Sequence, residues 1–159
     1  MAPGRTAVPK SRQSAVSSAI WMAAECNVIS NRILSMSDKP VLRIGLIGTG
    51  FMGKAHVFGF ASAQKVFDLP YLLELHTVAD VTEDAAARAA ADFGFAHATA
   101  DWRSMVENPQ IDVIDITAPN ALHKEMALAA ISAGKHVYCE KPLAPMASDA
   151  RQMADAAAA

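Results

Sequence analysis

Val41-Leu42-Arg43-Ile44-Gly45-Leu46-Ile47-Gly48-Thr49-Gly50-Phe51-Met52-Gly53-Lys54-Ala55-His56 is the stretch on which the reading of the chain turns. A short apolar, β-branched run opens it, the spacing Gly48-x-Gly50-x-x-Gly53 follows directly, and helix-forming sequence comes next. A buried strand, a tight turn and a helix N-terminus in that order bring backbone N–H groups against a pyrophosphate. Gly48 then permits the sharp turn, Gly50 leaves no Cβ between backbone and phosphates, and Gly53 lets the helix pack closely on the strand. Thr49, Phe51 and Met52 lie between these glycines and share the phosphate-facing turn. Three glycines are a common pattern, so the assignment depends on what the rest of the chain supplies.

The 159 residues fit one domain with a proper core. At 52% hydrophobic and 19% charged, with a net charge of −2, the composition is that of an ordinary globular protein. It lacks the basic surplus of a nucleic-acid binder. Cys26 and Cys139 are far apart and form no C-x-x-C pair, which argues against a zinc site and a disulfide framework. His56, His76, His97 and His136 have no metal-ligand spacing with one another, so no metal and no role is assigned to them. A reducing cytoplasm is the plain reading.

Before Val41 there are five basic residues against two acidic ones, leaving nine against fourteen in the remainder. Residues 1–40 are therefore read apart from the rest, as a disordered leader or as sequence ahead of the natural start, with Met36 just before Ser37-Asp38-Lys39-Pro40. Their apolar run, Ala19-Ile20-Trp21-Met22-Ala23-Ala24, stops at Glu25. It is far short of the about 20 residues a membrane span requires. A signal peptide or presequence stays open as an alternative, since Arg5, Lys10 and Arg12 precede that run.

From Val41 the chain alternates. A helix over 51–65 is expected to turn Phe51, Ala55, Val57 or Phe58, and Ala61 inward. A strand over 71–81 follows. Next comes an Ala-rich helix to Phe93, with Thr82 as N-cap, Glu83 and Asp84 in its first turn, and Gly94 closing it. A short strand over 96–98 and a helix capped by Asp101 precede Asn108-Pro109. A strand over 111–117, a helix capped by Asn120 and running to Ser132, a strand over 136–139 and a last helix from about Ser148 complete the order. Strand and helix alternate five times, which predicts an α/β fold: a doubly wound parallel sheet of the Rossmann dinucleotide-binding type.

Ligands of such sheets bind at the carboxyl ends of the strands. Asp80 closes the second strand, 27 residues after Gly53 where the usual offset is about 20. A carboxylate there can accept hydrogen bonds from both hydroxyls of an adenosine ribose, or it can be a plain turn residue. No Arg or Lys follows in Val81-Thr82, and a carboxylate repels a 2′-phosphate, so NAD is favoured over NADP. Thr117, Ala118, Pro119 and Asn120 close the fourth strand, where a nicotinamide would lie; Asn120 can equally serve only as a cap. His123, one turn on, is either a cofactor-side contact or a surface residue. Glu140, Lys141 and Pro142 close the fifth strand. Lys141, held beside Glu140, can orient a substrate hydroxyl or shuttle its proton, or be an ordinary surface lysine. Cys139 is expected to pack as a small apolar residue.

The glycine stretch, Asp80, Thr117-Ala118-Pro119-Asn120-x-x-His123, and above all Ala133-Gly134-Lys135-His136-Val137-Tyr138-Cys139-Glu140-Lys141-Pro142-Leu143-Ala144 together resemble the glucose–fructose oxidoreductase/inositol dehydrogenase/rhizopine-catabolism family. The resemblance covers Val41 to the end. It implies an NAD(P)-dependent oxidoreductase that oxidises a secondary hydroxyl of a sugar, inositol or related polyol. It also implies a catalytic or substrate-binding role for Lys141 and a frequently cis peptide before Pro142.

In that family a second α/β domain forms the substrate pocket and often the oligomer interface, so a homo-oligomer is among the assemblies the resemblance allows. Residues 41–159 are read as the NAD(P)-binding domain alone, cut off in its last helix, with the second substrate domain absent. An inactive nucleotide-binding fragment and a stand-alone NAD-binding regulatory module are the alternatives, and no polyol dehydrogenase activity is expected of the 159-residue chain by itself. Neither a nucleic-acid nor a membrane partner is expected.

Overall fold

Strand β1, Val41–Ile47, is apolar on both faces from Ile44 to Ile47, the pattern of a parallel strand covered by helices on either side. In the computed structural model of the protein, which describes residues 39–159, it occupies the middle of the sheet. The leader readings fall, up to residue 38, outside the described residues. The unit Pro40–Ala159 continues with α1 (Phe51–Val66), β2 (Leu72–Ala79), α2 (Glu83–Phe93), β3 (His97–Thr99) and α3 (Trp102–Glu107). It closes with β4 (Val113–Ile116), a 3-10 turn (Asn120–Leu122), α4 (His123–Ser132), β5 (His136–Cys139) and α5 (Ala147–Ala158).

All strand pairs are parallel, in the order β3-β2-β1-β4-β5. The chain runs outward in one direction through β2 and β3, then returns to β4 beside β1 and continues the other way. The gap between the carboxyl ends of β1 and β4 is therefore the switch point, where connections leave toward opposite faces. On one face Leu46 and Val78 pack with Val57 of α1, Ala89 of α2 and Phe95. On the other, Ile47, Ile114 and Ile116 pack with Met105 of α3, Met126 and Ala130 of α4, and Met153 of α5. The doubly wound parallel sheet expected from the alternation is thus present.

Local signals act where they were expected. The Thr82 hydroxyl accepts from Ala85 N at 3.2 Å, and Gly94 ends α2 in the left-handed region at φ 82°. Asp101 caps α3 by accepting from Arg103 N and Ser104 N. Lys135 Nζ donates to the carbonyls of Asn108 and Ile111 at 2.7 and 2.8 Å, tying the end of α4 to the loop before β4.

Three local expectations are corrected. Of the residues expected on the inner face of α1 only Val57 is buried, with Gly53 beside it; Phe51 and Phe58 are 84% and 74% exposed, and Ala55 and Ala61 are exposed as well. Close packing of Gly53 on the preceding turn sets the rotation of the helix and carries both phenylalanines outward. Asn120 does not cap a long helix: it is the first residue of the 3-10 turn, whose N-cap position is Pro119, and α4 starts at His123 with Leu122 at its N-cap position. The strands are also shorter than the apolar runs suggested, with β2 ending at Ala79 and β4 spanning only Val113–Ile116.

Candidate functional site

At the switch point β1 gives way to the glycine turn. Gly48 has φ 97°, and a Cβ on it would lie 2.9 Å from Ala118 N and 3.0 Å from the Thr117 carbonyl. Thr117 completes the contact by donating its hydroxyl to Gly48 O at 2.7 Å and Ile47 O at 3.2 Å. A Cβ on Gly53 would lie 2.3 Å from Gly48 O, so the first turn of α1 rests on the backbone of the loop itself. Gly50 is the N-cap of α1 and has no capping side chain, and a Cβ there would meet nothing within 4 Å. The helix N-terminus, with its outward N–H groups and positive end, therefore faces open space beside Thr49, Phe51 and Met52.

Asp80, just past β2, reaches into this turn. Its Oδ2 accepts from Thr49 N at 3.2 Å and from the Thr49 hydroxyl, and its Oδ1 accepts from Val81 N at 2.6 Å. Beside it opens a cleft of about 220 Å³ lined by Gly48, Asp80, Val81, Trp102, Pro119 and Leu122 among others. The lining is nearly all apolar, with the one carboxylate at its edge. Those features fit the adenosine half of a dinucleotide, a flat ring with a diol attached, and the bare Gly50 rim fits its pyrophosphate. Thr117, Ala118, Pro119 and Asn120 form the opposite wall of the switch point, with Pro119 and Asn120 exposed.

His123 is neither on the surface nor open to a ligand. It is fully buried, its Nε2 lies 2.8 Å from Ala118 O and its Nδ1 3.1 Å from Pro142 O. The ring bridges the turns that follow β4 and β5. The Lys141–Pro142 peptide in the second of these turns is cis. Lys141 itself is exposed, and its backbone N–H donates to Glu140 Oε1 at 2.6 Å.

One cluster escaped the reading of the sequence. His56 of α1 places Nδ1 3.0 Å from both Asp115 oxygens and Nε2 3.1 Å from Glu140 Oε2. Asp115 has no exposed surface at the centre of β4. Burial raises its carboxyl from 3.8 to about 6, against the opposing pull of His56. Glu140 is lowered from its ordinary 4.5, first by the Lys141 backbone N–H and further by His56 and Lys141, with burial opposing. The available signal was Asp115 itself: an acid between Ile114 and Ile116 in a strand covered on both faces must find a partner. Among the described residues no group of three His, Cys, Asp or Glu side chains is arranged to hold a metal ion, and none of their helices is long and apolar enough to cross a membrane.

Comparison with known proteins agrees with the fold. The model of the glucose–fructose oxidoreductase/inositol dehydrogenase/rhizopine-catabolism type, an oxidoreductase family with an NAD-binding Rossmann fold, matches residues 42–159. Levoglucosan dehydrogenase of Pseudarthrobacter phenanthrenivorans is 47% identical over 116 residues, covering 72% of this chain and 30% of that protein. Inositol 2-dehydrogenase of Pseudomonas fluorescens is 34% identical over 116 residues, covering 72% of this chain and 33% of that one. The structure of a levoglucosan dehydrogenase with NADH and L-sorbose superposes with a TM-score of 0.74 at 46% identity, over 75% of this chain and 32% of that chain. The chain thus spans about a third of the length of the relatives it matches.

Two outcomes follow from the geometry. Gly53→Ala should lower stability by about 1–3 kcal/mol through the clash with Gly48 O, whereas Gly50→Ala should change it by less than about 1 kcal/mol; urea unfolding without nucleotide compares them.

The Asp115–Glu140 contrast predicts opposite pH dependences. Asp115 binds its proton more tightly folded than unfolded, so its contribution is complete below 3.8 and is lost as pH rises through about 6. Glu140 contributes above 4.5, and that contribution is lost as pH falls through its lower folded value. Relative to Asp115→Asn, the unmutated protein should therefore lose up to about 3 kcal/mol between about pH 4 and pH 7. A constant difference across that window in urea unfolding would contradict the assignment.

Proposed function

The chain belongs to the oxidoreductase family whose NAD-binding Rossmann-fold model it matches, and from that membership we propose that it is the cofactor-binding part of an NAD-dependent dehydrogenase oxidising a secondary hydroxyl of a sugar, inositol or related polyol. The observation that carries the cofactor reading is Asp80. Its carboxylate is held by Thr49 and Val81 at the rim of an apolar cleft, beside a glycine turn that leaves open space at a helix N-terminus. The substrate class is supported by relatives named levoglucosan dehydrogenase and inositol 2-dehydrogenase.

In this reading the backbone of Gly48, Thr49, Gly50, Phe51, Met52 and Gly53 binds the pyrophosphate, with the positive end of α1 favouring its charge. Asp80 accepts from the ribose hydroxyls and disfavours a 2′-phosphate, because two negative groups would share one small rim. NAD, when bound, supplies the hydride acceptor. Thr117, Ala118, Pro119 and Asn120 wall the nicotinamide side, and His123 acts on that wall indirectly, by tying Ala118 to Pro142. Lys141 meets the substrate hydroxyl: Nζ orients the oxygen and, when neutral, takes its proton. Glu140 holds the Lys141 backbone for that task. The absence of a cysteine-pair pattern in the sequence supports a reducing compartment, the cytoplasm, as its place.

Calorimetric titration with NAD+ and NADP+ tests the cofactor reading. NAD+ should bind at least about tenfold more tightly, and Asp80→Ala should close most of that gap. Equal affinities in the unmutated protein would sink the assignment of Asp80.

A further inference from the structure

His56 is wedged between two acids. Its imidazole stacks on Tyr138 with centroids 5.0 Å apart and planes at 26°. Side-chain exposure is 10% for His56, 0% for Asp115 and 12% for Glu140, so water cannot easily replace any partner in the row. A neutral imidazole has one N–H and one lone pair, and an ionised carboxylate only accepts. With both acids ionised and one ring proton, a nitrogen lone pair would face a carboxylate oxygen at 3.0 or 3.1 Å.

The row is satisfied only if it holds one proton more. That proton sits on the second ring nitrogen, or on Asp115 donating to Nδ1. In both forms Nε2 carries a hydrogen and donates to Glu140 Oε2. Glu140 Oε1 meanwhile accepts from Lys141 N at 2.6 Å, and Glu140 N donates to Ile116 O at 2.9 Å.

We propose that Asp115, His56 and Glu140 form a proton-holding unit that positions Lys141, with His56 and Glu140 as positioning residues; this rests on the dehydrogenase reading, in which Lys141 meets the substrate hydroxyl. The shared proton keeps Nε2–H aimed at Glu140, and Glu140 uses its other oxygen to fix the Lys141 backbone. The row carries one negative charge instead of two, so Lys141 projects beside a single net charge anchored to the sheet. Asp115, with no exposed surface, closes the row at its inner end, away from water. The groups facing the ring are Asp115 from β4, and Tyr138 and Glu140 from β5 and its end. The Cys139 thiol nearby is pushed up to about 11 by burial, Asp115 and Glu140, and adds no charge.

NMR of the nitrogen-labelled chain, without nucleotide or substrate, decides the unit. At neutral pH the His56 Nε2 should carry a proton, and Nδ1 should either be protonated too or accept from a protonated Asp115; a bare Nε2, or an unprotonated Nδ1 beside an ionised Asp115 carboxyl, overturns the proposal. His56→Phe keeps a ring against Tyr138 and removes both nitrogens, while His56→Gln returns an N–H donor. In the Phe variant the Glu140 carboxyl midpoint should rise by about half a unit or more. The Lys141 amide resonance should move as well, and Gln should recover part of both changes. An unmoved Glu140 midpoint and Lys141 amide in the Phe variant also overturn it. Calorimetry with NAD+ on the unmutated chain separates the two readings. Failure to bind removes the dehydrogenase reading and the purpose given to the unit, while the ring nitrogens decide the unit itself.

Discussion

The close approach of β1 to β4 at Gly48 and Thr117 is the contact on which the rest depends. The Thr117 hydroxyl donates to the carbonyls of both Ile47 and Gly48, and no side chain fits between the two backbones. The second strand pair and the return crossing diverge from that point, so a cleft opens above it, lined by Ile47, Gly48, Ala118 and Pro119 among others. Gly53 then seats α1 on the same carbonyl. A helix N-terminus, a carboxylate and an apolar cleft converge because one backbone contact brings three elements to one place.

A second set of contacts holds the far side of the gap. His123 sits between the turns after β4 and β5, its ring nitrogens 2.8 Å from Ala118 O and 3.1 Å from Pro142 O, and His56 ties α1 to Asp115 in β4 and to Glu140 beyond β5. Both histidines are polar groups withdrawn from water. Each must therefore be matched by partners, since a buried donor or acceptor left unmatched costs about 1–3 kcal/mol. This gives the short turns after β4 and β5 a definite geometry despite their exposed residues. It contrasts with the Arg43–Glu74 pair, at 3.5 Å and about 40% exposed on both sides, which water screens and which contributes little.

Much of this was legible in the chain itself. The alternation of short apolar runs with Ala-rich segments, punctuated by Gly94, Asn108-Pro109 and Gly134, reads as a wound parallel sheet without any knowledge of contacts. Thr82 and Asp101 cap the helices they were expected to cap, because a cap needs only the next three residues. Asn120 has the right chemistry for the same task and does not perform it. Tertiary ties to Ala118 and Pro142 draw His123 inward and tighten the preceding residues into a 3-10 turn. Phe51 and Phe58 fit a helical stripe in composition, yet they face outward because Gly53 sets the rotation of α1.

What the sequence by itself determined is thus what neighbours along the chain can settle: the order of elements, their caps, the glycine turn and the acid at the end of β2. The tertiary structure alone decided which distant groups complete each other. His56 meets an acid 59 residues away and another 84 residues away, and Thr49 meets Asp80 across 31. Local propensity acts over a few residues of backbone, whereas a buried charge is satisfied by whatever the packed sheet brings within about 3 Å. Strand register and helix rotation choose that partner, and they exist only once the sheet has formed.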